Sequence, residues 1–192
     1  MHRRHGAGHA LQDEQSTHFV RIATPVAKYW NTKRAVLAMG EIMECLGGNG
    51  YVEESILPRL YRDVPVNAIW EGSGNVQALD VLRAMRKEPA SLTALLQYFQ
   101  AEKGHSPLLD QHLVKTEQLL TQPPGALQAR AAVTAIALSI QAIELIHIAA
   151  PAVAELFCQS RLGHPTSGWG CLPADNMNLL SQTIAYAFQQ QA

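Results

Sequence analysis

Apolar residues in this chain recur at helical spacing, and no stretch alternates apolar and polar positions as a half-buried strand would. From Pro25 to Leu46, residues Val26, Tyr29, Trp30, Val36, Leu37, Ile42, Met43 and Leu46 suit one inward stripe. Thr24-Pro25 reads as an N-cap with proline in the first turn, and Gly47 as a left-handed cap at the far end. Leu11 to Ile22 predicts part of a helix ahead of it. Asn49 to Glu54 predicts a loop, and Ile56 to Arg62 a short helix that Pro65 ends. Asn67 to Gly74 predicts a second loop, from which Ser73 or Asn75 caps a helix running to Lys87. Beyond Pro89 the pattern predicts helices over Ser91–Glu102, Pro107–Leu120, Ala126–Arg161 with a kink at Pro151, and Asp175–Gln189. The turn Pro123-Pro124-Gly125 and a loop from His164 to Pro173 punctuate that half. The expected fold is all-α, with a disordered start at residues 1–12, a helical segment over 13–88 and a helical tail over 89–192.

Composition changes this picture little. Of 192 residues, 47% are hydrophobic and 16% charged, which is globular and argues against disorder for most of the chain. The net charge of −1 gives no general attraction to nucleic acid. Cys45, Cys158 and Cys171 are odd in number and show no C-x-x-C spacing, so neither a disulfide framework nor a zinc site is suggested, and a reducing cytoplasm is expected. His2, His5 and His9 have a spacing that could hold a metal on a helix, but Gly6 and Gly8 oppose that helix, and no metal is expected. No apolar run follows the basic N-terminus, so it is not a secretory signal. The apolar stretch Ala131–Phe157 carries Gln141, Glu144, His147 and Pro151, costly groups in lipid, and is expected to be a buried core helix rather than a membrane span.

The segment with chemistry in it runs from Leu46 to Arg83. Glu71 lies among Ile69, Trp70 and Gly72 just before a helix start. An apolar wall there would desolvate the carboxylate and favour its use as a base. Gly72 and Gly74 let a ligand approach the backbone, and the helix start offers amides to a polar ligand. On the residues alone, a glutamate that merely suits a helix N-terminus is the simpler reading. Gly47-Gly48-Asn49-Gly50 likewise suits a helix end and turn, and is not a dinucleotide fingerprint because no strand precedes it. Arg62-Asp63 is either a surface pair or a brace for the loop before Glu71.

The blocks Leu46-Gly47-Gly48-Asn49-Gly50-Tyr51, Leu60-Tyr61-Arg62-Asp63 and Trp70-Glu71-Gly72-Ser73, with Gln77 following, stand in one order and spacing. That order resembles the C-terminal domain of acyl-CoA dehydrogenases over roughly Pro25 to Arg86. Pro25-Val26-Ala27-Lys28-Tyr29-Trp30, Glu53-Glu54-Ser55 and Pro65 to Asn75 resemble the AidB-like branch in particular, which is associated with the bacterial response to DNA alkylation and also continues into a helical tail. The resemblance implies a C-terminal four-helix bundle, here incomplete, that belongs with an N-terminal helical domain and a middle β-domain in an FAD-binding tetramer. It implies that Glu71 is the base removing the α-proton of an acyl-CoA thioester while FAD takes a hydride from the β-carbon. It further implies FAD contacts at Glu44, Gly47 and Gly48, made to a neighbouring subunit, and at Ile69, Trp70, Ser73, Gly74 and Asn75. Family members often carry glutamine where Glu44 stands.

Nothing in the chain corresponds to the first two domains. It is therefore expected to be a truncated product or fragment that does not catalyse alone, that exposes apolar surface around Trp30, Leu37 and Leu46, and that self-associates or is poorly stable. The alternatives are an AidB-like module binding double-stranded DNA through its tail and a remnant that only oligomerises. Arg83, Arg86, Lys87, Arg130 and Arg161 are the candidate phosphate contacts for the former. The tail also carries Glu88, Glu102, Asp110, Glu117, Glu144, Glu155 and Asp175, so no basic stripe stands out.

Overall fold

The computed structural model describes residues 14–122, 124–163, 169–172 and 176–189, and every described element is helical. The expected disorder of residues 1–12, the three N-terminal histidines, the expected start of the last helix at Asp175 and most of the loop His164–Pro173 fall outside the described residues. In chain order the helices are α1 (Glu14–Cys45), α2 (Gly48–Tyr51), α3 (Leu57–Asn67), α4 (Gly74–Lys87), α5 (Pro89–Ala101), α6 (Pro107–Thr121), α7 (Ala129–Ile148), α8 (Pro151–Phe157) and α9 (Met177–Gln189). A 3-10 turn, Ala126–Gln128, leads into α7, and α8 continues into a π-helical segment, Cys158–Gly163.

Prolines explain several element edges. Pro58, Pro89, Pro107 and Pro151 stand in first turns, where a missing N–H costs nothing. Two do not. Thr24-Pro25 does not open a helix as the sequence suggests; α1 runs straight through it. The ring removes the bond to the Arg21 carbonyl, a cost of about 3 kcal/mol. Pro25 is buried beside Ile22, Val26 and Tyr29, and that packing holds the helix together. Pro65 likewise lies inside α3 rather than ending it. At Pro151 the reverse holds: the expected kink is a full break. Ala150, restricted by the following ring, is extended at φ −62°, ψ 143°, and caps α8. Ser91, where the sequence predicts the helix to begin, is not its start, because α5 opens at Pro89. It lies within α5, fully buried, its hydroxyl without a hydrogen-bond partner among the described residues.

The chain divides into two units, one formed by Met1–Tyr98 with Gln122–Thr134, the other by Phe99–Thr121 with Ala135–Ala192. In the first, α1 packs on α2, α3 and α4. Ile22, Val26 and Tyr29 of α1, and Ala78, Val81, Leu82 and Met85 of α4, are buried at the spacing that puts each set on one helix face. Each fully buried large apolar side chain contributes about 1.5–3 kcal/mol. The stripe expected along all of α1 is buried only in its first half; Leu37, Ile42 and Leu46 are exposed because nothing described here covers that face of its last turns. In the second unit, Phe99, Leu109, Leu113, Leu120, Ile136 and Ile143 are fully buried, and α8 packs against α9. The helical stretch Ala126–Ile148 is long and apolar enough to cross a membrane by length and composition, while Ala132, Val133, Ile136, Ala137, Ala142 and Ile143 within it are buried in the protein.

Candidate active site

Glu71 stands in the turn between α3 and α4. It is the one non-glycine residue among those described with positive φ, at +52°. A side chain in that region is strained, and such strain persists only where the surroundings fix it. Here the carbonyls on either side are held. The Lys28 ammonium, from α1, donates to the Trp70 carbonyl. The Gln77 amide, one turn into α4, donates to the carbonyl of Glu71 at 3.0 Å and to that of Gly72 at 3.3 Å. Gly72 follows at φ +104°, and a β-carbon there would lie 2.7 Å from the Gln77 amide nitrogen. Gly74 opens α4 against α1, where a β-carbon would meet Lys33 Cε at 2.5 Å and Tyr29 at 3.5 Å. The sequence thus uses glycine on both sides of Ser73 so that backbone, not side chain, meets the neighbouring atoms.

The side chain of Glu71 is exposed and has no hydrogen-bond partner among the described residues. Ile69 and Trp70, expected to wall it off, are 67% and 57% exposed. Any desolvation of the carboxylate therefore has to come from outside these residues. Glu71 sits at the rim of an open groove of about 600 Å³ whose lining includes Arg21, Pro25, Lys28, Gln77 and Asp80. Arg21 pairs with Asp80 through two bonds, 2.9 and 3.3 Å, and with Glu88 at 3.0 Å, tying α1 to the middle of α4 and to the residue that caps its C-terminal end. The hydrogen bond from Arg21, aided by Arg83, holds the Asp80 carboxyl below its ordinary range, and Asp80 in turn raises the Arg21 guanidinium.

The other expected contacts lie on exposed backbone. Glu44, Gly47 and Gly48 are exposed at the junction of α1 and α2, with open space around both glycines. Gly47 takes φ +55° but ψ −138°, so it is the entry to α2 rather than a left-handed helical cap, and the loop expected from Asn49 begins as a helical turn. Gly50 is buried, and a β-carbon on it would fall 2.3 Å from the Met43 carbonyl oxygen, so α2 lies directly on the end of α1. Ser73 caps α4 by backbone alone, without a side-chain hydrogen bond, and Asn75 accepts from Arg130 at 2.7 Å. Arg62 does not pair with Asp63: it grips Glu53 with bonds of 2.7 and 3.2 Å, and Asp63 faces Arg59 at 3.9 Å. Among the candidate phosphate contacts, Arg83 is bonded to Asp80 at 2.5 Å, Arg86 to the Leu82 carbonyl and Arg130 to Asn75; Lys87 is exposed, and Arg161 lies in the π-helical segment of the other unit. Lys28 and Arg21, which build the site from α1, carry no local sequence signal, since their partners lie 42 and 59 residues away.

Residues 5–86 match the family described as acyl-CoA dehydrogenase, C-terminal domain, and it is this segment, with the Glu71 turn inside it, that belongs to the acyl-CoA dehydrogenase family. AidB of Escherichia coli (strain K12) is 39% identical over 150 residues, 78% of this chain and 28% of AidB. Acyl-CoA dehydrogenase family member 11 of Caenorhabditis elegans is 38% identical over 109 residues, 57% of this chain and 18% of its own. The crystal structure of C. elegans ACDH-11, solved in complex with C11-CoA, superposes with a TM-score of 0.66 at 25% identity, over 90% of this chain and 34% of that one. The chain therefore spans about a third or less of the relatives it matches.

Proposed function

We propose that the chain supplies the base-bearing C-terminal segment of an acyl-CoA dehydrogenase-like oxidoreductase, with Glu71 as the base. The observation that carries this reading is the positive φ of Glu71 together with the clamp on both sides of it: a mere helix-start glutamate needs neither. Glu71 takes the α-proton of an acyl-CoA thioester onto its carboxylate as the α C–H bond breaks. FAD, when bound, supplies the acceptor for the β-hydride. The open backbone at Gly47 and Gly48, and the exposed Ile69, Trp70 and Ser73 beside Glu71, fit one edge of such a cofactor; the described residues enclose none of it. Because Glu71 is open to water and its apolar neighbours face outward, the chain by itself is proposed not to turn over acyl-CoA. The exposed apolar side chains Leu37, Ile42, Leu46, Ile69 and Trp70 support burial against further copies or domains.

A chimera tests the assignment. Residues 13–88 would replace the matching segment of an acyl-CoA dehydrogenase that binds flavin. The chimera is expected to hold flavin and to bleach anaerobically with acyl-CoA. Its Glu71→Gln form should keep the flavin spectrum and lose about 10²–10⁴-fold in bleaching rate. Equal bleaching rates in the two forms would remove Glu71 from the role.

A further inference from the structure

In the second unit, two imidazoles converge on one carboxylate. His147, in the last turn of α7, brings Nε2 to 2.5 Å from Glu102 Oε2. His105, in the link between α5 and α6, brings its own Nε2 to 3.5 Å from the same oxygen. The rings meet edge-on with centroids 5.5 Å apart, and the three ligand atoms all lie within 4.8 Å of one another. The link that carries His105 is fixed: Gly104 takes φ +97° and its amide donates to Asp110 at 2.9 Å. Lys103, next in sequence to Glu102, is turned to Glu117 at 2.9 Å and does not serve this carboxylate. Glu102 is largely covered, its side chain 12% exposed, whereas the two histidines are close to half exposed.

We propose that Glu102, His105 and His147 form a site for a divalent transition-metal ion, Zn²⁺ foremost, that nothing in the acyl-CoA dehydrogenase chemistry uses. Two nitrogens and one oxygen suit a borderline cation and not a hard one such as Mg²⁺ or Ca²⁺, which prefers all-oxygen sites. A tetrahedral Zn²⁺ with bonds of about 2.1 Å sets its donors about 3.4 Å apart, between the shortest and longest spacings present here. Binding needs each imidazole neutral with its Nε2 lone pair on the metal, so the proton shared between His147 and Glu102 is displaced. Water fills the fourth position on the exposed side. The ion would clasp the α5–α6 link to the end of α7.

The test uses the full chain with His2, His5 and His9 changed to Gln, so that the N-terminal histidines cannot contribute. Competition with a chromophoric chelator is expected to give one equivalent of Zn²⁺ bound at micromolar affinity or tighter. His105→Gln, His147→Gln and Glu102→Gln should each weaken it tenfold or more. Thermal melting should rise with Zn²⁺ relative to EDTA, and His105→Gln, at an exposed position, should melt like the parent in EDTA while losing that rise. Co²⁺ in place of Zn²⁺ should show d–d bands without thiolate charge-transfer absorption. Binding weaker than about 0.1 mM, affinity unchanged in His105→Gln and His147→Gln, or a thiolate band pointing to a cysteine would each overturn the proposal.

Discussion

Lys28 donates its ammonium to the main-chain carbonyl of Trp70, the residue before Glu71, and so ties the well-packed half of α1 to the turn that carries the candidate base. The bond acts on backbone, so it fixes the turn whatever the Trp70 side chain does. Lys28→Met keeps the aliphatic stem and removes the donor. Amides 69–72 should then exchange with solvent faster, while those around Val81 and Leu82 in the buried face of α4 stay protected. Unchanged exchange across 69–72 would mean that Gln77 alone holds the turn.

The positive φ of Glu71 has an energetic signature. A β-carbon in the left-handed region costs about 1–2 kcal/mol, which glycine avoids, although glycine gives back about 0.5–1 kcal/mol through unfolded-chain entropy. Glu71→Gly should therefore melt no lower than the parent, and Glu71→Ala no higher. A glycine variant clearly less stable than the alanine one would show that the turn stores no strain.

Much of this was legible in the sequence, and the limits have identifiable causes. The helical period and the position of Glu71 before α4 follow from local spacing. The course of α1 through Pro25 does not, because the packing of Ile22 and Val26 against α4 is a tertiary effect that outweighs a local breaker. Arg62 found Glu53 rather than its sequence neighbour Asp63 because the turn between α2 and α3 brings the glutamate into reach of a bidentate grip. The expected apolar wall at Glu71 failed for a different reason: Ile69 and Trp70 are apolar, but nothing among the described residues lies over them.

Asp80 makes stability depend on acid. Its folded pKa is held down, chiefly by the hydrogen bond from Arg21, so its contribution is present above the unfolded value of about 3.9 and is lost as pH falls through the lower folded value. Asp80→Asn should cost about 1 kcal/mol at pH 7, given a half-shielded ion pair with bidentate geometry. The difference from the parent should shrink as pH is taken below 4. A constant gap between pH 7 and pH 3 would assign the effect to shape rather than to charge.

The three cysteines should separate by reactivity. Cys45 and Cys171 are exposed, whereas Cys158 is buried and burial pushes its thiol up, against a hydrogen bond from Ser106 that acts the other way. Iodoacetamide at pH 8 should modify Cys45 and Cys171 in the native chain and reach Cys158 only after denaturant is added. Peptide mapping that found Cys158 labelled at the same rate as the others would place α8 and the following π-helical segment in an open state.

The outward pose of Trp70 gives this molecule a built-in optical probe. Its indole is 57% exposed next to Glu71, while Trp30 is half-buried beneath the Arg34 guanidinium at 4.8 Å. The two should emit differently, the first at the red end typical of water-bathed indole. Whatever settles over the Glu71 turn, whether another protein surface or a flat aromatic ligand, must cross that ring first, and its arrival is readable as a blue shift or a loss of emission without any label being added.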